Sequence, residues 1–279
     1  MSARTRRITG RVALNAAAVV VFACSVFPVY WMVNTALLPG SAVKSDVPHF
    51  WPDQFTLKSF EAAWNGGFVP ALGISLAVTL LTLVTALVFA FLASIAVSRY
   101  RFRSRKTFIV AILVIQMIPA EAMIISTFRV LDGWQLLNTV IGLAAVYIAM
   151  VLPFTIWTLR GFVNGIPADL EEAAMIDGCT RTQAFWRVTF PLLAPGLVST
   201  GIFAFIQAWN EFVFALVIMT RLEMETLPIW LRSFVQATKA TDWAVVMAGS
   251  TLMAIPVIVF FLIVQGKMTS GLVSGAVKG

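Results

Sequence analysis

Long apolar runs alternate with short polar ones along this chain, and the apolar runs are too long and continuous for the interior of a water-soluble domain. A helix rises 1.5 Å per residue and a bilayer's hydrocarbon core is about 30 Å thick, so roughly 20 apolar residues make one crossing. Six stretches reach that length, at residues 12–38, 70–97, 106–127, 138–160, 195–219 and 243–265. None shows the two-residue alternation of a barrel strand, so the pattern predicts membrane-spanning helices, each satisfying its own backbone polar groups. The fold class expected is all-α, with a tail at 1–11, one six-helix membrane domain over 12–265 and a second tail at 266–279. No internal repeat, second domain or broken helix is evident in the pattern.

Composition agrees with this reading and sharpens it. Hydrophobic residues make up 59% and charged residues 12%, with a mean hydropathy of +0.89, where soluble domains carry roughly 25% charged residues. Arg4, Arg6, Arg7 and Arg11 precede the first run, whose length suits an uncleaved signal anchor better than a cleaved signal peptide. Positive loops are retained in the cytoplasm. With the N-terminus inside, the inner segments hold four positive residues at the start, five at 99–106, three at 160–187 and two in the tail, fourteen in all. The outer loops hold six: Lys44, Lys58, Arg129, Arg221, Arg232 and Lys239. Both termini are therefore expected in the cytoplasm. The net charge of +7 is a topology signal and an attraction to anionic lipid, and the basic, aromatic-interleaved run at 99–106 implies no nucleic acid.

Catalytic chemistry finds little to work with. Cys24 lies within the first span and Cys179 in an inner loop, so no structural disulfide is expected. The single histidine, His49, is read as having no Cys or carboxylate neighbour at ligand spacing, and no metal is expected. There is no phosphate-binding loop of the Walker type and no set suited to a nucleophilic triad, so the chain is read as no enzyme and as binding no cofactor itself. The outer loop at 39–69 carries Phe50, Trp51, Phe55, Phe60 and Trp64, which suit either an ordered interfacial loop or a docking surface.

The most informative polar stretch lies between the fourth and fifth runs. Pro167 suits the first turn of a helix, and Asp169, Glu171 and Glu172 place negative charge near its positive end. Leu170, Ala173 and Ala174 fall at helical spacing on one small-sided face. Gly178 suits a left-handed helix end, and Thr180 with Gln183 gives a capping box for a second helix. Phe185 and Val188 line that helix before Phe190-Pro191 are expected to stop it, giving a hairpin over 163–191 at the cytoplasmic face. An amphipathic hairpin could simply rest on headgroups, but an anionic surface does not explain its acidic excess.

The spacing Glu172-Ala173-Ala174, Gly178, Val188 and Phe190-Pro191 resembles the cytoplasmic motif of ABC importer permeases, with Val188 and Phe190 as mild departures. Gln116-Met117-Ile118-Pro119, Trp209-Asn210-Glu211-Phe212 and the ending from Gly271 to Gly279 are similar to the maltose-type carbohydrate-uptake permeases, and the short N-terminal tail to the smaller of their two permease subunits. The resemblance implies a multi-pass protein of a bacterial or archaeal plasma (inner) membrane. It also implies a second permease subunit as heterodimer partner, an ATPase dimer that holds ATP and Mg, an extracellular solute-binding protein and a carbohydrate substrate. The hairpin residues Glu172, Ala173, Ala174, Asp177, Gly178, Phe185, Val188 and Pro191 would then couple the spans to the ATPase, and residues 275–279 could also reach it.

Polar residues inside the spans complete the candidate list. Gln116, Glu121, Gln207, Asn210 and Glu211 are costly in lipid, so they should face a protein interior or an aqueous path. Trp209, Phe205 and Trp134 are candidate rings for the apolar face of a sugar. The same amides could instead bond between helices, with Pro119 and Glu121 marking a kink. Sugar phosphates or polyols are alternative substrates, and a proton-coupled carrier using Glu121 and Glu211 is the alternative of a different class.

Overall fold

The computed structural model describes residues 3–235 and 241–276. Lys239, the side chains of Arg4, Arg6 and Arg7, and the side chains from residue 267 onward, segment 275–279 included, lie outside that description. The described residues are helical with no strand among them. Among the described residues five helices are long and apolar enough to cross a bilayer, and a bent pair makes six when its two halves are counted as one crossing. The crossings are Ala3–Ala36, Val69–Arg99, the pair Arg105–Ile115 and Ile124–Gly133, Val140–Gly165, Phe190–Asn210 and Trp243–Ala276.

Two of the expected spans are not single helices. The third bends by 90° between its halves. Pro119, at φ −59° and ψ 119°, leaves the helical region and opens a 3-10 turn over Ala120–Met123, since proline lacks an N–H and pushes its predecessor out of the helix. The fifth ends at Asn210, passes through an extended Glu211 (φ −67°, ψ 129°) and resumes as Val213–Ile218. The expected stop at Phe190-Pro191 also does not occur. A single wide turn, Phe185–Thr189, carries the chain into the fifth helix, with the Phe190 N–H bonded five residues back to Phe185 and Pro191 in the first turn. That first turn is where a missing donor costs least.

The chain divides into two compact units, residues 1–68 with 231–255, and residues 69–230 with 256–279. In the first unit, the loop after the first helix folds back onto that helix's end. Asn34 donates to the His49 carbonyl at 2.7 Å, Tyr30 donates to the Phe50 carbonyl, and Trp31 meets Phe50 edge-on at 5.5 Å. His49 does have a carboxylate neighbour, contrary to expectation: Asp53, four residues on, lies 3.4 Å away. The two form a pair, and no cluster of three metal-ligating groups occurs among the described residues.

The second unit is built on close approach of Val69–Arg99 and Val140–Gly165. Along the former, Ala71, Ser75, Val78, Thr82, Ala86, Ala90, Ser94 and Val97 are buried at three- and four-residue spacing, a small-sided stripe. Leu143, Tyr147, Val151, Ile156, Leu159 and Val163 form the buried face of the latter. Lipid is as apolar as leucine, so small residues that admit close backbone packing, rather than water exclusion, hold such helices together. The opposite side of the second helix carries exposed Leu80, Val84, Val88 and Leu92, as a lipid solvent permits.

Candidate functional site

The two breaks that the spans contain face one cavity of about 930 Å³, within the second unit. Its walls come from the bend of the third crossing, from residues 145–154 of the fourth and from residues 203–214 of the fifth. Gln116, Glu121, Gln207, Asn210 and Glu211 all line it, as does Trp134, whose side chain is 70% exposed. No Lys, Arg or His is among the lining residues. Trp209 and Phe205 are corrections to the sequence reading. They are only 1% and 2% exposed, and Trp209 stacks on Phe205, which stacks in turn on Phe260. Positions 205 and 209 share one helix face and positions 207 and 210 another, so the amides meet the cavity while the two rings fill the packing.

Glu211 is tied into the scaffold. Its Oε1 accepts the Phe214 N–H at 2.8 Å, and its Oε2 accepts the Ala215 N–H at 3.1 Å and the Tyr147 hydroxyl at 2.6 Å. The carboxylate therefore takes two of the backbone donors left open where Val213–Ile218 begins, as an N-capping side chain does. Sequence reasoning missed Tyr147. A buried tyrosine within an apolar run seeks a partner for its hydroxyl, but its sequence position does not name the acceptor. The Glu121 carboxylate differs: the residue is exposed at the cavity and its side chain has no hydrogen-bond or ion partner among the described residues. Asn210 donates its amide to the Ile206 carbonyl at 2.9 Å. Outside the spans, partial burial raises the Glu225 carboxyl above its ordinary range, and Glu225 does not line the cavity.

The loop between the fourth and fifth crossings forms two short helices, Asp169–Ile176 and Arg181–Ala184. Pro167 stands just ahead of the Ala168 cap rather than in the first turn. At the turn, Gly178 takes φ +92°. Its N–H bonds the Met175 carbonyl and the Cys179 N–H bonds the Ala174 carbonyl, the Schellman arrangement that glycine serves because a left-handed residue without Cβ is unstrained. The Thr180–Gln183 capping box is present in both directions. Glu172, Ala173, Asp177 and Gly178 are exposed, Ala174, Phe185 and Val188 are half-buried, and Pro191 is exposed at the base of the fifth helix.

Three contacts fasten this loop to the second unit. Phe185, Trp186 and Phe190 cluster around Phe91, with ring centroids 4.7 to 6.5 Å apart. Arg181 lies over the Tyr100 ring at 5.7 Å. Arg99 sits 3.5 Å from Glu171 and donates to the Ile166 carbonyl at 3.1 Å, while the Thr189 hydroxyl donates to Glu171 at 2.6 Å. Sequence reasoning treated Glu171 only as a helix-end charge and missed this pairing, whose members lie 72 and 18 residues from Glu171.

Known proteins bear on both parts of the site. The chain is 46% identical over 275 residues to the diacetylchitobiose uptake system permease protein DasC of Streptomyces coelicolor, covering 98% of this chain and 99% of that one. It is 37% identical over 257 residues to the trehalose transport system permease protein SugB of Mycobacterium tuberculosis, covering 91% and 93%. A solved bacterial ABC transporter involved in the import of the acidic polysaccharide alginate has a chain with the same fold, at a TM-score of 0.78 and 24% identity, over 95% of this chain and 98% of that one. Residues 87–269, which include both breaks and the whole hairpin, match the family model described as binding-protein-dependent transport system inner membrane component. The chain belongs to that family of multi-pass membrane permeases.

Proposed function

We propose that this chain is a permease subunit of an ATP-driven ABC importer and forms half of the transmembrane path for a neutral carbohydrate. The observation that carries the reading is nearly end-to-end similarity to a permease named for diacetylchitobiose uptake, with a trehalose permease also among the relatives. The cavity supports it chemically. Amides and carboxylates without any lining cation suit hydroxyl-rich neutral ligands, and they leave a sugar phosphate with no counter-charge. Trp134 is the remaining candidate ring.

The partners proposed are a second permease, an ATPase dimer that binds ATP and Mg, and an extracellular solute-binding protein, with both termini of this chain in the cytoplasm. The two-helix loop would dock in the ATPase through Glu172, Ala173, Ala174, Asp177 and Gly178. ATP can bias two states of the spans only through a contact that differs between them, and this exposed loop is suited to make it. A proton-coupled carrier would draw support from the broken crossings, which such carriers use at their sites. Against it, the Glu211 carboxylate is occupied by three donors and the hairpin is left without a task.

The test is reconstitution of the purified complex in proteoliposomes with its binding protein. ATP-dependent uptake of a neutral disaccharide, with binding-protein-stimulated hydrolysis, is expected. Uptake driven by a proton gradient without ATP would reverse the reading.

A further inference from the structure

The two arms of the hairpin are held by different means. The second arm runs into the fifth crossing and is gripped by buried Ala184 and by the Phe91, Phe185, Trp186 and Phe190 cluster. The first arm, Asp169–Ile176, buries no residue at all. Its one polar side-chain attachment among the described contacts is the Glu171 carboxylate, and that carboxylate meets Arg99 and Thr189. Arg99 is the last residue of the second crossing helix, Ile166 follows the fourth, and Thr189 precedes the fifth. Four elements thus converge on one ion pair, whose side chains are only 18% and 17% exposed. The fourth and fifth crossings are also two of the cavity's walls.

We infer that Glu171 and Arg99 are positioning residues that lock the first arm of the hairpin to the spans, so that displacement of the hairpin moves the cavity walls instead of bending the loop. The inference rests on the proposed docking of the hairpin to an ATPase, and it separates two adjacent acids. Glu172, exposed one position on, is free to meet the partner, whereas Glu171 faces inward and transmits. A largely buried carboxylate that faces a guanidinium at 3.5 Å and accepts a hydroxyl at 2.6 Å resists displacement in a way that an unburied helix resting on a headgroup surface does not. Arg99 also tethers the carbonyl just beyond the fourth helix, through the same Nη2 that faces Glu171.

The experiment measures sugar imported per ATP hydrolysed in proteoliposomes that contain the complete complex, together with retention of the ATPase subunit on the membrane complex. Glu171→Ala and Arg99→Gln are expected to keep ATPase association and hydrolysis while the transport-to-hydrolysis ratio falls about tenfold, equivalent to about 1.4 kcal/mol. The double variant should fall no further than either single one, because the two act as a unit. Glu171→Gln retains an acceptor for Thr189 and should lose less. Should Glu171→Ala fail to accumulate, Glu171→Gln and Arg99→Gln read the same ratio. An unchanged ratio with normal association overturns the inference alone, as would losses that multiply in the double variant. Loss of ATPase association in Glu171→Ala would make Glu171 a docking residue and also overturn it. Failure of the wild-type complex to retain any ATPase would instead remove the hairpin's docking role, and this inference with it.

Discussion

Glu211 shows how one side chain can look like a ligand in sequence and act as a fastener in structure. A carboxylate in an apolar run must find partners; the partners found are two backbone N–H groups and the Tyr147 hydroxyl. Removing a cap costs about 0.5–2 kcal/mol, and a hydrogen bond to a charged group contributes about 1.5–3 kcal/mol. Glu211→Ala should therefore lower uptake, measured per inserted molecule, and Tyr147→Phe should lower it in the same direction but less, with Cys24→Ala as the silent control. If Tyr147→Phe transports normally while Glu211→Ala does not, the carboxylate serves the path and not the scaffold. Asn210 and Glu121 differ because they line the cavity as exposed residues, whereas Glu211 is partly buried and held by three donors. Asn210→Ala and Glu121→Gln are expected to raise the sugar concentration for half-maximal uptake by roughly tenfold, the worth of one lost polar contact of about 1–2 kcal/mol, with little change in the amount of assembled complex. Equal loss of assembly and uptake would assign these residues to helix packing instead. Helical spacing separates 205 and 209 from 207 and 210, but it does not say which face looks into the cavity; for that reason Trp209 was legible as conspicuous and not as buried.

At the scale of elements, what was legible was local. The left-handed turn at Gly178 and the capping box of Thr180 with Gln183 are set by residues within five positions of one another, and both occur as the sequence implies. The breaks were harder. Pro119 is a visible signal of a kink, but the 90° bend depends on how the halves pack. At Glu211 the polar pair Asn210-Glu211 stands out in an apolar run, but it does not announce a break, because the capping bonds depend on where the carboxylate folds. The wide turn at Phe185–Thr189 was equally hidden, since Pro191 reads as a stop when the turn before it is assumed to be regular. The hairpin's long-range ties, Arg99 to Glu171 and Phe91 to Phe185, need the tertiary fold. A prediction follows for the turn itself. No atom lies within 4 Å of a Cβ placed at Gly178, so Gly178→Val would not clash, but a β-branched residue at φ +92° is strained. Gly178→Val and the charge reversal Glu172→Lys should each reduce ATPase pull-down and stimulated hydrolysis steeply while the protein still inserts, because both positions lie outside the crossings. Wild-type association and hydrolysis in both variants, with uptake intact, would reduce the hairpin to an interfacial element.

At the scale of the whole molecule, the hairpin can meet an ATPase only if its loop lies in the cytoplasm, and the distribution of positive charge is the physical basis for placing it there. Fourteen of the 20 Lys and Arg residues fall on one set of loops and six on the other, a bias that retains the richer set inside during insertion. Ser45, in the loop after the first crossing, and Ser104, in the loop after the second, sit on opposite sides in that arrangement. Both are exposed, so a difference in their reactivity reports the side of the membrane and not burial. Single-cysteine variants in a background without Cys24 and Cys179 give the readout: Ser45→Cys should react with a membrane-impermeant thiol reagent added outside intact cells, and Ser104→Cys should react only after permeabilisation. Ser104 lies in the same charge-rich set of loops as the hairpin, so the two are retained or exported together. Labelling of Ser104→Cys from outside, with Ser45→Cys protected, would turn the molecule over, put Glu172 and Gly178 on the face where no ATP is available, and leave the Arg99–Glu171 pair with no motor to connect.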